Sequence, residues 1–222
     1  YANGKKYIKI EARKRTGGDM LCAKVISMTD GNDLGAEHVS SRQLADLALM
    51  WKEQNKEGNI GVAYTYNEPL VGWEFVRDTA RLVREYGMFN VLVTNGTASL
   101  EVLEELLPWI DAMNIDLKGF REEYYRRLGG DLETVKAFIM RAAGSSHVEL
   151  TTLIVPGEND SLKDMEAQAK WIAGLRPSIP LHITRFFPRY RMRDREATDV
   201  EQLYRLAGTA GKYLEKVYVG NV

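Results

Sequence analysis

Polar residues gather immediately after short apolar runs in this chain, and that placement is the first sign of chemistry. Glu68 stands in the run Tyr66, Asn67, Glu68, Pro69, directly after the apolar stretch 60–64, and Pro69 biases it toward extended backbone. A carboxylate there can accept hydrogen bonds from a ligand ammonium group, and a solvated loop carboxylate is the ordinary alternative. Asp116 and Lys118 are spaced i, i+2 at the end of the run 112–117, so an extended chain points both the same way. They suit either a polar ligand or a salt bridge at the rim of a sheet. Thr94, Asn95 and Gly96 close a third run; their hydroxyl and amide fit a ribose or a carboxylate, or simply a strand-to-helix turn. Lys118 could also act as the Schiff-base amine of a lyase, although Asp116 beside it favours the charged ammonium.

Other candidates are weaker. Arg185, Arg189 and Arg191 offer either a cationic rim for an anionic substrate group or a solvated basic face. His182 alternates with Leu181 and Ile183 and reads as structural. No further His or Cys stands at metal-ligand spacing from His147 or His38 in the sequence, so a histidine metal site is not expected. Tyr124 and Tyr125 read as packing residues and not as a platform for stacking bases.

Positioning these groups requires strands that alternate with helices. Runs at 7–12, 60–64, 90–94, 112–117, 148–154 and 181–186, with a short one at 217–219, have the length and composition of strands. Between them, Ser40 with Gln43 forms a capping box for a helix ending near Gly58, and the spacing predicts a helix over 73–86 stopped by Gly87. Further helices are predicted over 100–107, from Asp131 through Ala142, from Ser161 through Ile172, and from a Thr198–Glu201 box to Tyr213. The stretch from 13 to Asn32 reads as a loop. Repeated βα units with polar strand ends and no Gly-rich dinucleotide loop favour a partial or complete (β/α) barrel, in which strand C-termini form the active face.

Composition narrows the functional classes. With 222 residues and 45% hydrophobic content, one globular domain over 1–222 is expected. Thirty basic against 31 acidic residues give a net charge of −1, which lacks the footprint of a general nucleic-acid binder. No apolar run approaches the ~20 residues that span a bilayer, and the first residues lack a signal pattern, so a cytoplasmic protein without a membrane partner is expected. The single cysteine, Cys22, can form neither an internal disulfide nor a structural zinc site alone.

Several blocks taken together are familiar: 59–69, 91–96, 113–118, 153–160 and 185–190. In order and over nearly the whole chain from Ile26, they resemble the radical S-adenosylmethionine (SAM) enzymes of the AmmeMemoRadiSam system, which are similar to pyruvate-formate-lyase-activating enzymes. The resemblance implies an α/β fold, a partial (β/α)6 TIM-like barrel of the radical SAM type. It implies SAM and a [4Fe–4S] cluster as cofactors, and an external electron donor as partner. Reductive cleavage of SAM would give a 5′-deoxyadenosyl radical that abstracts hydrogen from an unidentified substrate, which in this family can be a protein. By this likeness Tyr66, Asn67 and Glu68 stand where the GGE motif holds the SAM amino group. Asp116 and Lys118 match a D-x-K element at the ribose and carboxylate, Thr94 and Asn95 line the same pocket, and Tyr190 falls near the adenosine. Cys22 aligns with the third of the three cysteines in the family's C-x3-C-x2-C motif. Nothing in the chain corresponds to the other two, so 13–26 is expected to be a remodelled or incomplete cluster loop. The competing reading is a cluster-less barrel that binds SAM or a nucleoside, or serves as a scaffold.

Overall fold

The structure is a computed structural model that describes residues 8–13, 22–27, 39–54 and 59–222. The strands are β1 (Ile8–Arg13), β2 (Cys22–Ser27), β3 (Gly61–Tyr64), β4 (Phe89–Thr94), β5 (Ala112–Asp116), β6 (His147–Ile154), β7 (Leu181–Arg185) and β8 (Val217–Gly220). The helices are α1 (Ser41–Gln54), α2 (Trp73–Glu85), α3 (Leu100–Leu106), α4 (Glu122–Arg127), α5 (Leu132–Ala143), α6 (Leu162–Leu175) and α7 (Val200–Ala210). The strand order is β2-β1-β3-β4-β5-β6-β7-β8, an open order with β2 and β8 at its ends. From β3 to β8 it follows the chain, as successive βα units dictate, and this is the α/β class expected from the alternation. No helix among the described residues is long and apolar enough to cross a membrane.

The chain divides into two compact units. In the first (residues 1–94, 98–113 and 145–147), β1 pairs antiparallel with β2 and parallel with β3, which pairs parallel with β4. Gly61 is obligatory at the start of β3, because a Cβ there would lie 1.9 Å from the Phe89 carbonyl oxygen. Ser40 and Gln43 make the expected reciprocal cap of α1: the Gln43 N–H donates to Ser40 Oγ at 3.2 Å, and the Ser40 N–H to Gln43 Oε1 at 2.7 Å. Val76, Ala80 and Val83 of α2 are buried as their period predicts. The expected end of α1 near Gly58, like His38, lies outside the described residues.

Cys22 does not sit in a loop; it opens β2, its backbone opposite Arg13, and the register runs to Ile8 opposite Ser27. The run Cys22-Ala23-Lys24-Val25-Ile26-Ser27 is short and half polar, so its strand character emerges only through pairing with β1. Residues 14–21 lie outside the described residues.

The second unit comprises residues 95–97, 114–144 and 148–222. In it β6 pairs parallel with β7, and β7 with β8. Burial along β6 alternates strictly: Val148, Leu150, Thr152 and Ile154 are buried, while Glu149, Thr151 and Leu153 on the opposite face are not. Val135, Phe138, Ile139 and Ala142 form the fully buried stripe of α5, which Asp131 caps as expected. The Ser161 hydroxyl likewise accepts the Asp164 N–H at the start of α6. The Arg121–Arg127 stretch, assigned no element from the sequence, forms α4 with acidic residues in its first turn and basic ones in its last.

Asp199, not Thr198, caps α7, its side chain accepting the Glu201 N–H. Thr198 is buried, donating its hydroxyl to the Ile154 carbonyl at 2.6 Å and accepting the Phe186 N–H at 3.1 Å. It ties the end of β6 to the end of β7, a long-range use of a hydroxyl that local spacing does not reveal. The helix also ends earlier than expected, at Ala210 with Gly211 as its cap.

Candidate cofactor site

In the first unit the polar strand ends are built on a buried hydrogen-bond network. Tyr64, at the end of β3, is fully buried and donates its hydroxyl to Asn90 Oδ1 at 3.0 Å; burial pushes this phenol far above its ordinary range. Asn90 spends its own amide on the carbonyls of Ala80 (2.9 Å) and Trp109 (3.0 Å), locking β4 to α2 and to the turn after α3. Beyond this anchor, Tyr66 and Asn67 are exposed, with a cis peptide between them and Tyr66 at φ 52°. Glu68 caps the 3-10 turn Pro69–Gly72, Oε1 accepting the Leu70 N–H at 3.1 Å and the Thr94 hydroxyl at 2.7 Å. Two of the expected site residues, Glu68 and Thr94, are thus brought into direct contact.

In the second unit Asp116 and Lys118 meet as their spacing predicts, Nζ to Oδ2 at 2.6 Å, both side chains about a third exposed (37% for Lys118, 30% for Asp116). The backbone of Lys118 is held on both sides. Its N–H donates to the Tyr125 hydroxyl at 2.9 Å, and its carbonyl accepts from Asn159 Nδ2 at 2.6 Å. The same Asn159 amide reaches the Leu153 carbonyl at 2.8 Å, while its Oδ1 accepts the Val155 N–H at 2.7 Å. Asn159 therefore welds the end of β6 to the second residue after β5. Behind it, buried Gln168 donates to Thr152, whose hydroxyl donates to the Leu117 carbonyl, both at 2.8 Å. Burial raises the Tyr125 phenol pKa, so this group stays neutral and acts only as a hydrogen-bonding post.

Of these residues, Lys118, Tyr125, Leu153 and Val155 line a cavity of about 910 Å³. Lys118, Asn95, Asp131 and Glu158 bring polar groups to it; Leu153 and Phe186 are among its apolar walls. Such a mixture of apolar wall and few convergent polar groups is typical of sites for small organic ligands. Asn95 turns its carbonyl onto Thr97, accepting from the N–H at 2.9 Å and from the hydroxyl at 2.6 Å. Gly96, beside it, adopts φ +68°, and a Cβ there would come within 3.0 Å of Ile115. Asp131 accepts both the hydroxyl and the N–H of Thr134, which hold its carboxyl below the usual aspartate range. Glu158 grips Arg127 at 2.7 Å and Arg195 at 2.8 Å, and its carbonyl accepts from Arg121.

The remaining candidates fall elsewhere. Tyr190, 76% exposed at φ 52°, is not among the residues lining the cavity. Arg185 donates to the Thr198 carbonyl at 2.8 Å and lies 4.9 Å from the Phe187 ring. His182 is paired with Glu149 at 2.6 Å and stacked on Tyr218. From the sequence, Tyr125 reads only as a packing residue, and Asn159 and Glu158 have no assigned role. Asn159 and Glu158 do stand in a Pro-Gly-Glu-Asn-Asp turn whose composition signals a loop, and Asn159 reaches Lys118 across 41 positions.

A radical SAM superfamily model matches residues 26–169, more than half of the chain, and the chain belongs to that superfamily. An uncharacterized protein of Methanocaldococcus jannaschii is 40% identical over 165 residues, which are 73% of this chain and 49% of that protein. The chain therefore spans about half the length of this relative. The pyruvate formate-lyase-activating enzyme of Clostridium pasteurianum is 24% identical over 214 residues, covering 90% of this chain and 88% of the enzyme. Among solved structures, a domain of a pyruvate-formate lyase-activating enzyme from Bacteroides vulgatus superposes with a TM-score of 0.63 at 21% identity, over 72% of this chain and 99% of that one. A radical SAM methyltransferase from Sphaerobacter thermophilus gives 0.66 at 12% identity, over 95% and 76%. These likenesses show the fold, which is the partial TIM-like barrel type expected from the sequence.

Membership in this family implies SAM and a [4Fe–4S] cluster, and the chain's donors can be tested against both. The cavity fits an organic ligand of mixed polarity. The cluster does not fit: a site-differentiated cluster of this kind takes three thiolates, and the chain has one cysteine. Among the described residues no group of three His, Cys, Asp or Glu side chains is placed to hold a metal ion.

Proposed function

We propose that this chain is a SAM-binding protein of the AmmeMemoRadiSam type, and that the cavity beside Lys118 is where its second unit meets the cofactor. One observation carries this reading: Lys118, the third position of the D-x-K element, has its backbone fixed by Tyr125 and Asn159 and lies on the wall of a cavity large enough for a nucleoside. An ammonium on a fixed backbone root, next to Asp116, offers paired donor and acceptor groups, which suits a carboxylate and a ribose diol together. The apolar wall that includes Leu153 and Phe186 suits an adenine face. Asn95 belongs to the same wall. For the first unit, the family motif gives the SAM amino group to Tyr66, Asn67 and Glu68, with Thr94 orienting the Glu68 carboxylate by its 2.7 Å hydrogen bond.

Radical generation is the activity that the family implies, acting with an external electron donor on a substrate that can be a protein. It depends on a cluster whose thiolates this chain does not supply, and no step is assigned through it. Calorimetric titration with SAM tests the binding claim: saturable heat that Lys118→Ala weakens is expected, and absence of heat at high SAM concentration sinks it. Anaerobic reconstitution with iron and sulfide tests the rest. We expect less than one cluster per chain and no 5′-deoxyadenosine; a full complement of iron with SAM cleavage would restore the radical reading.

A further inference from the structure

The segment following β7 is densely basic. Between residues 185 and 195 it places five arginines, at 185, 189, 191, 193 and 195, against a single acidic residue, Asp194, in a chain whose net charge is −1. Two of the five are committed inward. Arg195 pairs with Glu158 at 2.8 Å, and Arg185 donates to the Thr198 carbonyl. Arg189, Arg191 and Arg193 are exposed and make no ion pair among the described residues. Interleaved with them are Phe187, 43% exposed, and Tyr190, 76% exposed in the left-handed region of backbone space, with the Arg191 guanidinium 5.2 Å from its ring. A bulky residue is seldom found at positive φ, and here the conformation leaves an aromatic ring in water. The inner side of the same segment is anchored: Phe186 and Met192 line the cavity beside Lys118.

We propose that this segment is a docking surface for an acidic polypeptide, delivered at the edge of the cavity. Its exposed residues, arginine and aromatic, are the types that dominate protein–protein hot spots. Three guanidinium groups outside any ion pair can each take a carboxylate in a bidentate pair, which an ammonium cannot do. The net charge of −1 argues against a general nucleic-acid binder, whose surface carries a large excess of basic residues. Anchorage through Arg195 and Glu158 presents the three cations from a fixed base, so less ordering entropy opposes binding. The proposal does not rest on the SAM reading, because it concerns the outer side of the segment.

Fluorescence anisotropy on the whole chain tests it, with a fluorescein-labelled glutamate–leucine peptide as probe and a labelled oligouridine as comparator. The peptide is expected to bind, more weakly as salt rises, and the triple variant Arg189→Ala, Arg191→Ala, Arg193→Ala to lose about tenfold in affinity, as three exposed ion pairs allow. The corresponding triple Lys variant should recover part of that loss, and Tyr190→Ala should weaken binding independently. A second triple of equal charge, Arg205→Ala, Lys212→Ala, Lys216→Ala, should leave binding unchanged, because these residues are exposed elsewhere. Equal circular dichroism melts show that the variants fold. No peptide binding, an equal loss in the control triple, or oligouridine bound as tightly as the peptide would each overturn the proposal.

Discussion

The polar ends of β3 and β4 in the first unit and those of β5 and β6 in the second solve the same problem in opposite ways. In the first, the functional side chain itself is held: Glu68 Oε1 accepts from Leu70 and Thr94, so the carboxylate is oriented by its own cap. In the second, the backbone is held and the side chain is left reaching. Lys118 is clamped at its N–H by Tyr125 and at its carbonyl by Asn159, while its ammonium meets Asp116 near the cavity. A carboxylate is short and rigid, and its direction matters most. An ammonium on four methylenes can adapt, provided its root does not move. The difference predicts that the second unit suffers more from loss of support residues and the first more from changes at the acidic group itself.

The largest expected effect is at Asn159. Asn159→Ala strands the Lys118 and Leu153 carbonyls and the Val155 N–H, and a cost of about 3 kcal/mol is expected in urea unfolding, with SAM affinity falling in parallel. A change of a few tenths of that size would show that the clamp is dispensable and the contrast between the units false. Next, Lys118→Ala should weaken SAM binding about tenfold with little change in stability, since an ion pair still partly open to solvent contributes little to folding. Titration calorimetry and a thermal melt separate the two readouts.

At Thr94, replacement by Val removes the hydroxyl that orients Glu68 and should cost about 1 kcal/mol of stability. Glu68→Gln, which keeps an acceptor for Leu70 and Thr94, should spare stability and still weaken SAM binding. If that variant bound SAM as well as the parent does, the carboxylate would be a cap and nothing more. The smallest effect concerns pH. Asp131 has a depressed carboxyl because Thr134 donates to it, so its contribution to stability is present above the ordinary aspartate pKa and is lost as pH falls through the lowered folded value. The gap in melting temperature between the parent and Asp131→Ala should accordingly be open at neutral pH and close in acid.

How much of this was legible in the chain depends on distance along it. The Ser40–Gln43 box and the Ser161 and Asp131 caps could be read because a cap is written within four residues. The Asp116–Lys118 contact was legible for the same reason, two positions on one side of a strand. Thr198 misled because it mimics a cap in spacing while its hydroxyl serves Ile154, 44 positions away. The strand at Cys22 was invisible because six mixed residues become a strand only when a partner supplies the other half of the ladder.

The βα alternation, the family motifs and the thiolate count are written in residue type and local order. One cysteine is one thiolate however the chain folds. Folding sets which polar groups are already taken, that Tyr125 and Asn159 root Lys118, and that Arg189, Arg191 and Arg193 face solvent while Arg195 turns to Glu158. Those outcomes depend on which carbonyls and carboxylates arrive within about 3 Å of a donor, and that is settled by packing between segments far apart in the chain.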